Sequence, residues 1–339
     1  GNIRVFVRVR PAPDAPVKIV DVDTDTGDVM VPHNNTAHSF RFDKCFNEQT
    51  SQEEMFEEVS TFVVSALDGY NVSLFAYGQT GSGKTHTVMG GAGQEQWGIV
   101  PRAVQLILAS VEEKASDGWS FEITASFVEI YNDSLRDLLC PSNTKIPNHK
   151  IKKNNQNATP TGRLDVTDLI EAPVKNPKDV TALMNTASEN RTVAKTDMNE
   201  RSSRSHMVFS LRITVWVQGL ATACFGLRVD LAGSERLAKS KAEGQQLKEA
   251  QAINKSLSAL SDVFVALSRK SAHIPYRNSK LTHFLQPCLS GEGKALVIAN
   301  LSPIEDSAHE SLCTLRFASM VHQSSQPLGP RPTPLDSRH

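Results

Sequence analysis

Residues Gly78 to Thr87 read GQTGSGKTHT, and they follow Asn71 to Tyr77, NVSLFAY, a run apolar enough to be a buried strand. The spacing fits G-x-x-x-x-G-K-[S/T], a loop whose backbone N–H groups converge on phosphate oxygens. Chance supplies that pattern in roughly one chain of this length in a hundred, with glycine near 7% of residues, so the flanks must decide. Thr85 to Val88 can open a helix whose positive end faces an anion. In this reading Gly78, Gln79, Thr80, Gly81, Ser82 and Gly83 wrap the phosphates. Lys84 reaches the β and γ phosphates, and the Thr85 hydroxyl binds Mg2+. A plain glycine-rich turn with a surface lysine would need neither flank.

Strand-like runs recur at Ile3–Val9, Val72–Tyr77, Phe121–Ile130, Met207–Val217, Cys224–Leu231 and Ala295–Leu301. Several are apolar on both faces, as strands covered on both sides must be. Helical patterns lie between them at Glu53–Leu67, Pro101–Lys114, Pro177–Ser188 and Leu247–Ser268. In the last, Ile253, Leu257, Leu260, Phe264 and Leu267 form one apolar stripe. Alternating strands and helices favour one layered α/β domain over two separate ones. Asn143–Gly162 is polar and reads as an exposed loop, while the proline-rich end reads as a disordered tail, with the domain over 1–322 and the tail over 323–339.

With 39% hydrophobic and 22% charged residues, the 339-residue chain has an ordinary globular composition. The start, IRVFVRVRP, is neither a signal peptide nor a membrane span, so a cytosolic or nuclear protein without membrane insertion is expected. Cys45, Cys140, Cys224, Cys288 and Cys313 are scattered and form no CxxC pair, which argues against disulfides and zinc. Lysine and arginine total 36 against 37 acidic residues, so nothing in the overall charge calls for nucleic acid as a partner. The charge is nevertheless uneven, since Arg236 to Lys280 holds nine basic residues against three acidic ones.

A phosphate loop hydrolyses nothing alone; a γ-phosphate sensor and a group that positions water are also needed. Two later segments suit those tasks. NERSSRSH, Asn199 to His206, crowds hydroxyl and amide side chains and an arginine beside a strand. DLAGSE, Asp230 to Glu235, ends a buried run with an aspartate and then a glycine whose N–H can face a γ-phosphate.

GQTGSGKTHT, NERSSRSH, DLAGSE and INKSLSAL, in that order, resemble the kinesin motor domain. RVRP (Arg8–Pro11), EIYND (Glu129–Asp133) and HIPYRNSKLT (His273–Thr282) extend the resemblance from Ile3 to about Val321. Within the family the chain is most similar to the C-terminal-motor class, kinesin-14, through GNIRVFVRVRP and ESLCTLRFASMV.

The resemblance implies an α/β, P-loop NTPase-type motor fold with a central mixed, mostly parallel β-sheet and helices on both faces. It also implies a microtubule-stimulated ATPase using ATP and Mg2+, with minus-end direction in the full-length protein. By the same resemblance Arg10, Pro11 and His86 line the adenine site. Asn199 and Ser202 meet the γ-phosphate or the attacking water, Ser203 meets Mg2+ and Asp230 holds a Mg2+-bound water. Gly233 senses the γ-phosphate, and Arg204 pairs with Glu235 to close the pocket. Lys239, Lys241, Lys248, Lys255, Arg277 and Lys280 meet tubulin, with Lys152 and Lys153 as a secondary contact. Lys241 and Ser261 stand where kinesins usually carry glycine, and His283 where several carry a basic residue. Dimerisation is expected through a coiled coil upstream of Gly1, with this chain monomeric alone, on the microtubule cytoskeleton and the spindle. A tether without productive hydrolysis is the alternative. A GTPase is disfavoured because Asn254-Lys255 continues as Ser256-Leu257 and supplies no NKxD signature.

Overall fold

The computed structural model describes residues 3–115, 118–141, 149–154, 163–193, 204–217, 220–225, 231–235, 244–290 and 293–325. In chain order the elements are β1 (Ile3–Val9), β2 (Asp21–Asp23), β3 (Asp28–His33), β4 (Thr36–Arg41), β5 (Lys44–Phe46), α1 (Gln52–Leu67), β6 (Asn71–Tyr77), α2 (Lys84–Val88), α3 (Ile99–Ala115) and β7 (Trp119–Tyr131). There follow β8 (Ser134–Asp137), β9 (Ile151–Asn154), β10 (Arg163–Val166), β11 (Ala172–Pro173), α4 (Pro177–Val193), β12 (His206–Val217) and β13 (Leu220–Phe225). Then come α5 (Gln245–Ser268), α6 (Lys280–Leu289), β14 (Gly293–Leu301) and α7 (Ala308–Gln323).

Two larger sheets carry the fold. One is wholly parallel with strand order β5-β1-β14-β6. The other is antiparallel, ordered β11-β7-β12-β13, with β8 also paired to β7. Their strands bury alternate residues on opposite faces, as the pleat requires. In β14, Leu296 and Ile298 join the core under α1, α3 and α4. Its Ala295, Val297, Ala299 and Leu301 join the core under α5, α6 and α7. In β6, Leu74 and Ala76 face the first core, and Phe75 and Tyr77 the second. The expectation of helices on both faces is thereby met.

Local chemistry sets the helix ends. Ser51 and Glu54 form a capping box: Ser51 Oγ accepts from Glu54 N at 3.1 Å and Glu54 Oε2 from Ser51 N at 2.7 Å. This starts α1 at Gln52, which turns inward, while Glu53, Glu54, Glu57 and Glu58 stay exposed outside. On α5 the expected stripe from Ile253 to Leu267 is buried. The last helix, α7, stacks Phe317 on Tyr77 at 3.9 Å between ring centroids and so closes over the strand that leads into the phosphate loop.

Some expectations need correcting. Ile151–Asn154, inside the stretch expected to be loop, pairs antiparallel with Arg163–Val166. Ile151 and Val166 pack against the core edge, and so short an apolar signal is hidden among lysines. The expected strand Cys224–Leu231 overlaps β13, which pairs antiparallel with β12; residues 226–230 lie outside the described residues. The tail expected from residue 323 begins on the last residue of α7 and continues through Ser324, which is buried, and Ser325; residues 326–339 lie outside the described residues. The small sheet β2-β3-β4 escaped prediction because its strands are largely exposed and carry little apolar alternation.

Phe127 and Phe209 meet across the β7–β12 ladder, both buried, with centroids 4.9 Å apart. Phe209→Ala should destabilise the fold by about 3–5 kcal/mol, read as a lowered urea midpoint.

Candidate nucleotide site

At the carboxyl end of β6 the backbone turns sharply at Gly78, where φ is 152°. A Cβ there would lie 2.4 Å from Asn300 O and 2.7 Å from Ser82 Oγ, so only glycine fits against the end of β14. The loop returns on itself: Ser82 Oγ donates to Gln79 O at 2.8 Å. The buried Lys84 Nζ donates to Gly78 O at 2.9 Å and Gln79 O at 2.8 Å. Lys84 is thus held at the mouth of the loop it opens, with Thr85 exposed beside it.

The 231–235 segment lies against this loop. Glu235 accepts from Thr80 N at 2.9 Å and from Thr80 Oγ1 at 2.7 Å, and Ser234 N donates to Gly78 O at 3.2 Å. Gly233 is enclosed by this clasp; a Cβ would meet Thr80 Oγ1 at 2.5 Å and the Glu235 carboxylate closer still. The expected Arg204–Glu235 pair is not formed. Arg204 Nη1 instead donates to Glu249 Oε2 on α5 at 3.0 Å, leaving the Glu235 carboxylate to Thr80. Asn199, Ser202, Ser203 and Asp230 lie outside the described residues.

At the other end of the loop, Arg10 Cβ stands 3.5 Å from where a Gly83 Cβ would project. The Arg10 guanidinium donates to Pro11 O at 3.0 Å and Ser302 Oγ at 3.3 Å. Pro11 and His86 are exposed at this edge. Behind them lies a network that sequence reasoning missed. Arg8 Nη1 donates to Gln52 Oε1 at 2.7 Å and Thr87 Oγ1 at 3.1 Å, while Gln52 Nε2 donates to His86 O at 2.8 Å. Burial lowers the Arg8 guanidinium to about 10, so it stays charged at neutral pH. His86 is held below the usual histidine value by burial first and by Arg8 second. A signal existed in the strand alternation: Arg8 shares the face of Phe6, and Phe6 is core.

A second line leads from the loop to α5. Ala232 N donates to His206 Nδ1 at 3.0 Å, which leaves the Nε2 proton for Ser256 Oγ on α5 at 2.7 Å. His206 is fully buried, and burial, then Arg191 and Lys84, push its pKa down to about 3. Glu249, in the first turns of α5, also accepts from Tyr131 Oη at 2.5 Å. On the outer side of α5, Lys248 and Lys255 are exposed, as are Arg277 and Lys152. Lys280 is half-buried with its N–H on Asp133 Oδ1 at 2.8 Å. Lys239, Lys241 and the side chain of Lys153 lie outside the described residues.

A phosphate loop on a parallel sheet edge, clasped by a second acidic segment, defines a P-loop nucleotide-binding protein. The profile described as the kinesin motor domain matches residues 14–324, and the chain belongs to that family of motor ATPases. It is 45% identical over 338 residues to Kinesin-like protein KIN-14N of Oryza sativa subsp. japonica, covering 95% of this chain and 43% of the rice protein. Against Kinesin-like protein KIFC1 of Homo sapiens it is 43% identical over 356 residues, covering 95% of this chain and 53% of the human protein. The solved motor domain of the kinesin-like protein Kar3 of Saccharomyces cerevisiae superposes with a TM-score of 0.80 at 37% identity, covering 95% of this chain and 99% of that one. These relatives place the chain in the C-terminal, kinesin-14 class. It spans about half the length of the curated relatives it matches.

Two outcomes follow. A double-mutant cycle on Arg204→Ala and Glu249→Ala, read by urea unfolding of the nucleotide-free protein, should show a coupling of about 1–2 kcal/mol, and one on Arg204→Ala and Glu235→Ala close to none. Unfolding also releases His206 to take a proton it refuses when folded. Stability should therefore fall as pH drops from about 6.5 toward 3, by at most about 1.4 kcal/mol per pH unit from this group. His206→Gln should reduce that slope between pH 7 and 5.

Proposed function

We propose that this chain is the head of a microtubule-stimulated ATPase motor, minus-end directed in its full-length form and working on the microtubule cytoskeleton, the spindle included. The observation that carries this reading is the continuous line of contacts from the phosphate loop to α5, the helix that exposes Lys248 and Lys255. Thr80 is clasped by Glu235, Ala232 N–H meets His206, and His206 meets Ser256, next in sequence to the exposed Lys255. A change at the γ-phosphate that moves the 231–235 segment would be felt at α5, and track binding at α5 would be felt at the loop. Such reciprocity is what a track-stimulated ATPase requires.

Lys84 and the loop amides would hold the nucleotide phosphates, and Gly233 would meet the γ-phosphate. Asn199 and Ser202 would orient the attacking water. Thr85 offers an exposed hydroxyl, the hard oxygen donor that Mg2+ prefers, and would hold the ion with Ser203 directly and Asp230 through water. Among the described residues no cluster of three His, Cys, Asp or Glu could hold a metal, which fits an ion carried by hydroxyl and phosphate oxygens. Bound there, Mg2+ would neutralise charge on the transferred phosphoryl group. Lys248, Lys255 and Arg277, with Lys239, Lys241, Lys280, Lys152 and Lys153, would face the acidic tubulin surface. One solved relative in the same class is the Kar3Vik1 pair fused to a synthetic heterodimeric coiled coil. Dimerisation of this protein through a coiled coil ahead of Gly1 accords with that arrangement. Among the described residues no helix is long and apolar enough to cross a membrane.

ATP turnover should rise strongly when polymerised microtubules are added, with GTP a poorer substrate; binding without stimulation would instead indicate a tether. Lys84→Ala should abolish nucleotide binding, and unchanged turnover would sink the assignment. The pair Lys248→Ala and Lys255→Ala should weaken co-sedimentation with microtubules while sparing basal turnover. The wild-type interaction should itself weaken with added salt, because exposed charges are screened beyond about 8 Å at physiological ionic strength.

A further inference from the structure

Arg8 and Gln52 have no place in the phosphate chemistry, yet both are buried and both bond toward the helix that carries His86 and Thr87. Arg8 is a buried cation without a carboxylate partner among the described residues; it donates to the Gln52 amide oxygen and the Thr87 hydroxyl. Thr87 is held a second time, by Asn300 Nδ2 of β14 at 2.8 Å. Gln52 is the first residue of α1, so the capping box that starts that helix also aims its side chain.

The direction of these bonds is determined by Arg8. A guanidinium only donates, so the Gln52 oxygen must face it and the Gln52 NH2 must face away. That NH2 group then donates to His86 O at 2.8 Å and to Gln96 O at 3.3 Å, and it lies 3.1 Å from His86 Nε2. Gln96 belongs to the excursion between Gly90 and Gly98. Arg102 pins the same excursion from the other side, donating to Trp97 O at 2.9 Å and Gln94 O at 3.1 Å. One amide therefore ties together the helix after the phosphate loop and the excursion that follows it.

We propose that Arg8 and Gln52 are positioning residues for the nucleoside half of the nucleotide: Arg8 orients the Gln52 amide, and Gln52 fixes His86 and the 90–98 excursion where the base and ribose bind. This rests on the nucleotide-binding reading above. It assigns a task to two side chains that would not touch the ligand. The side chains of Arg8 and Gln52 hydrogen-bond on the His86 and Gln96 side of the site, and the network approaches the phosphate side only through Asn300, which holds Thr87 and passes Gly78.

Gln52→Glu tests the idea because it keeps the acceptor that Arg8 needs and removes the donor that His86 and Gln96 need. Titration calorimetry with Mg-ADP and with inorganic pyrophosphate, on the whole chain, separates base-end effects from phosphate-end effects. The expected result is ADP affinity weakened about tenfold, the equivalent of one or two hydrogen bonds. Pyrophosphate affinity should stay within about twofold of wild type. Arg8→Lys, which keeps a donor toward Gln52, should fall between wild type and Gln52→Glu. In steady-state turnover the loss should appear in KM for ATP with kcat near the wild-type value. Equal losses for ADP and pyrophosphate, or no loss for either, would overturn the proposal. Where Gln52→Glu does not fold, Arg8→Lys decides by the same comparison. A wild-type chain that binds neither ligand would instead reject the nucleotide reading itself.

Discussion

The site depends on one strand that arrives late in the sequence. β14 sits between β1 and β6, hydrogen-bonded in parallel to both, so RVRP and the phosphate loop become neighbours only through it. Its end supplies Asn300, whose carbonyl makes any side chain at Gly78 impossible and whose amide steadies Thr87. The nucleotide site is thus assembled at the carboxyl edge of a parallel sheet, where loops from separated strands converge. Arg10 at the end of β1, the loop after β6 and Ser302 after β14 stand there side by side because the register of three strands puts them there.

Around that edge, two connections of different character meet the loop. The Glu235 clasp is a half-buried carboxylate that accepts from Thr80 N and Oγ1, at the outer end of a segment whose Leu231 and Ala232 belong to the core. The His206 connection is different, since its ring is fully enclosed and both nitrogens are used. A buried, fully satisfied polar group acts as a rigid link, because breaking either bond strands a group that water cannot reach. The arrangement couples the Glu235 clasp to a stiff rod, and the rod ends on the helix that carries the exposed lysines.

Much of this was legible in the sequence. Buried strands showed as apolar runs, α5 showed as a stripe at helical spacing, and the phosphate loop showed in its glycines and lysine. What stayed hidden has physical causes. Small exposed strands such as β2 to β4 carry too little apolar alternation to register. Polar networks depend on the packing of residues distant in the chain, so Gln52 beside His86 and Glu249 beside Arg204 carry no local signature. The Arg204–Glu235 pairing was an expectation carried by the family resemblance, with no local signal in the sequence to test it. Glu249 wins the arginine because it lies at the start of α5, which brings its carboxylate within reach of both Tyr131 and Arg204.

The two helical faces differ in more than the elements they carry. On the face with α1, the outward residues Glu53, Glu54, Glu57 and Glu58 are exposed carboxylates, and on the opposite face α5 presents Lys248 and Lys255. In a chain with a formal net charge of only −1, this sets exposed carboxylates on one helical face against exposed lysines on the other. In the field of an acidic polymer such a body gains almost nothing by translation and much by rotation. Such a polymer would turn it before contact, Lys248 and Lys255 inward and the α1 carboxylates outward.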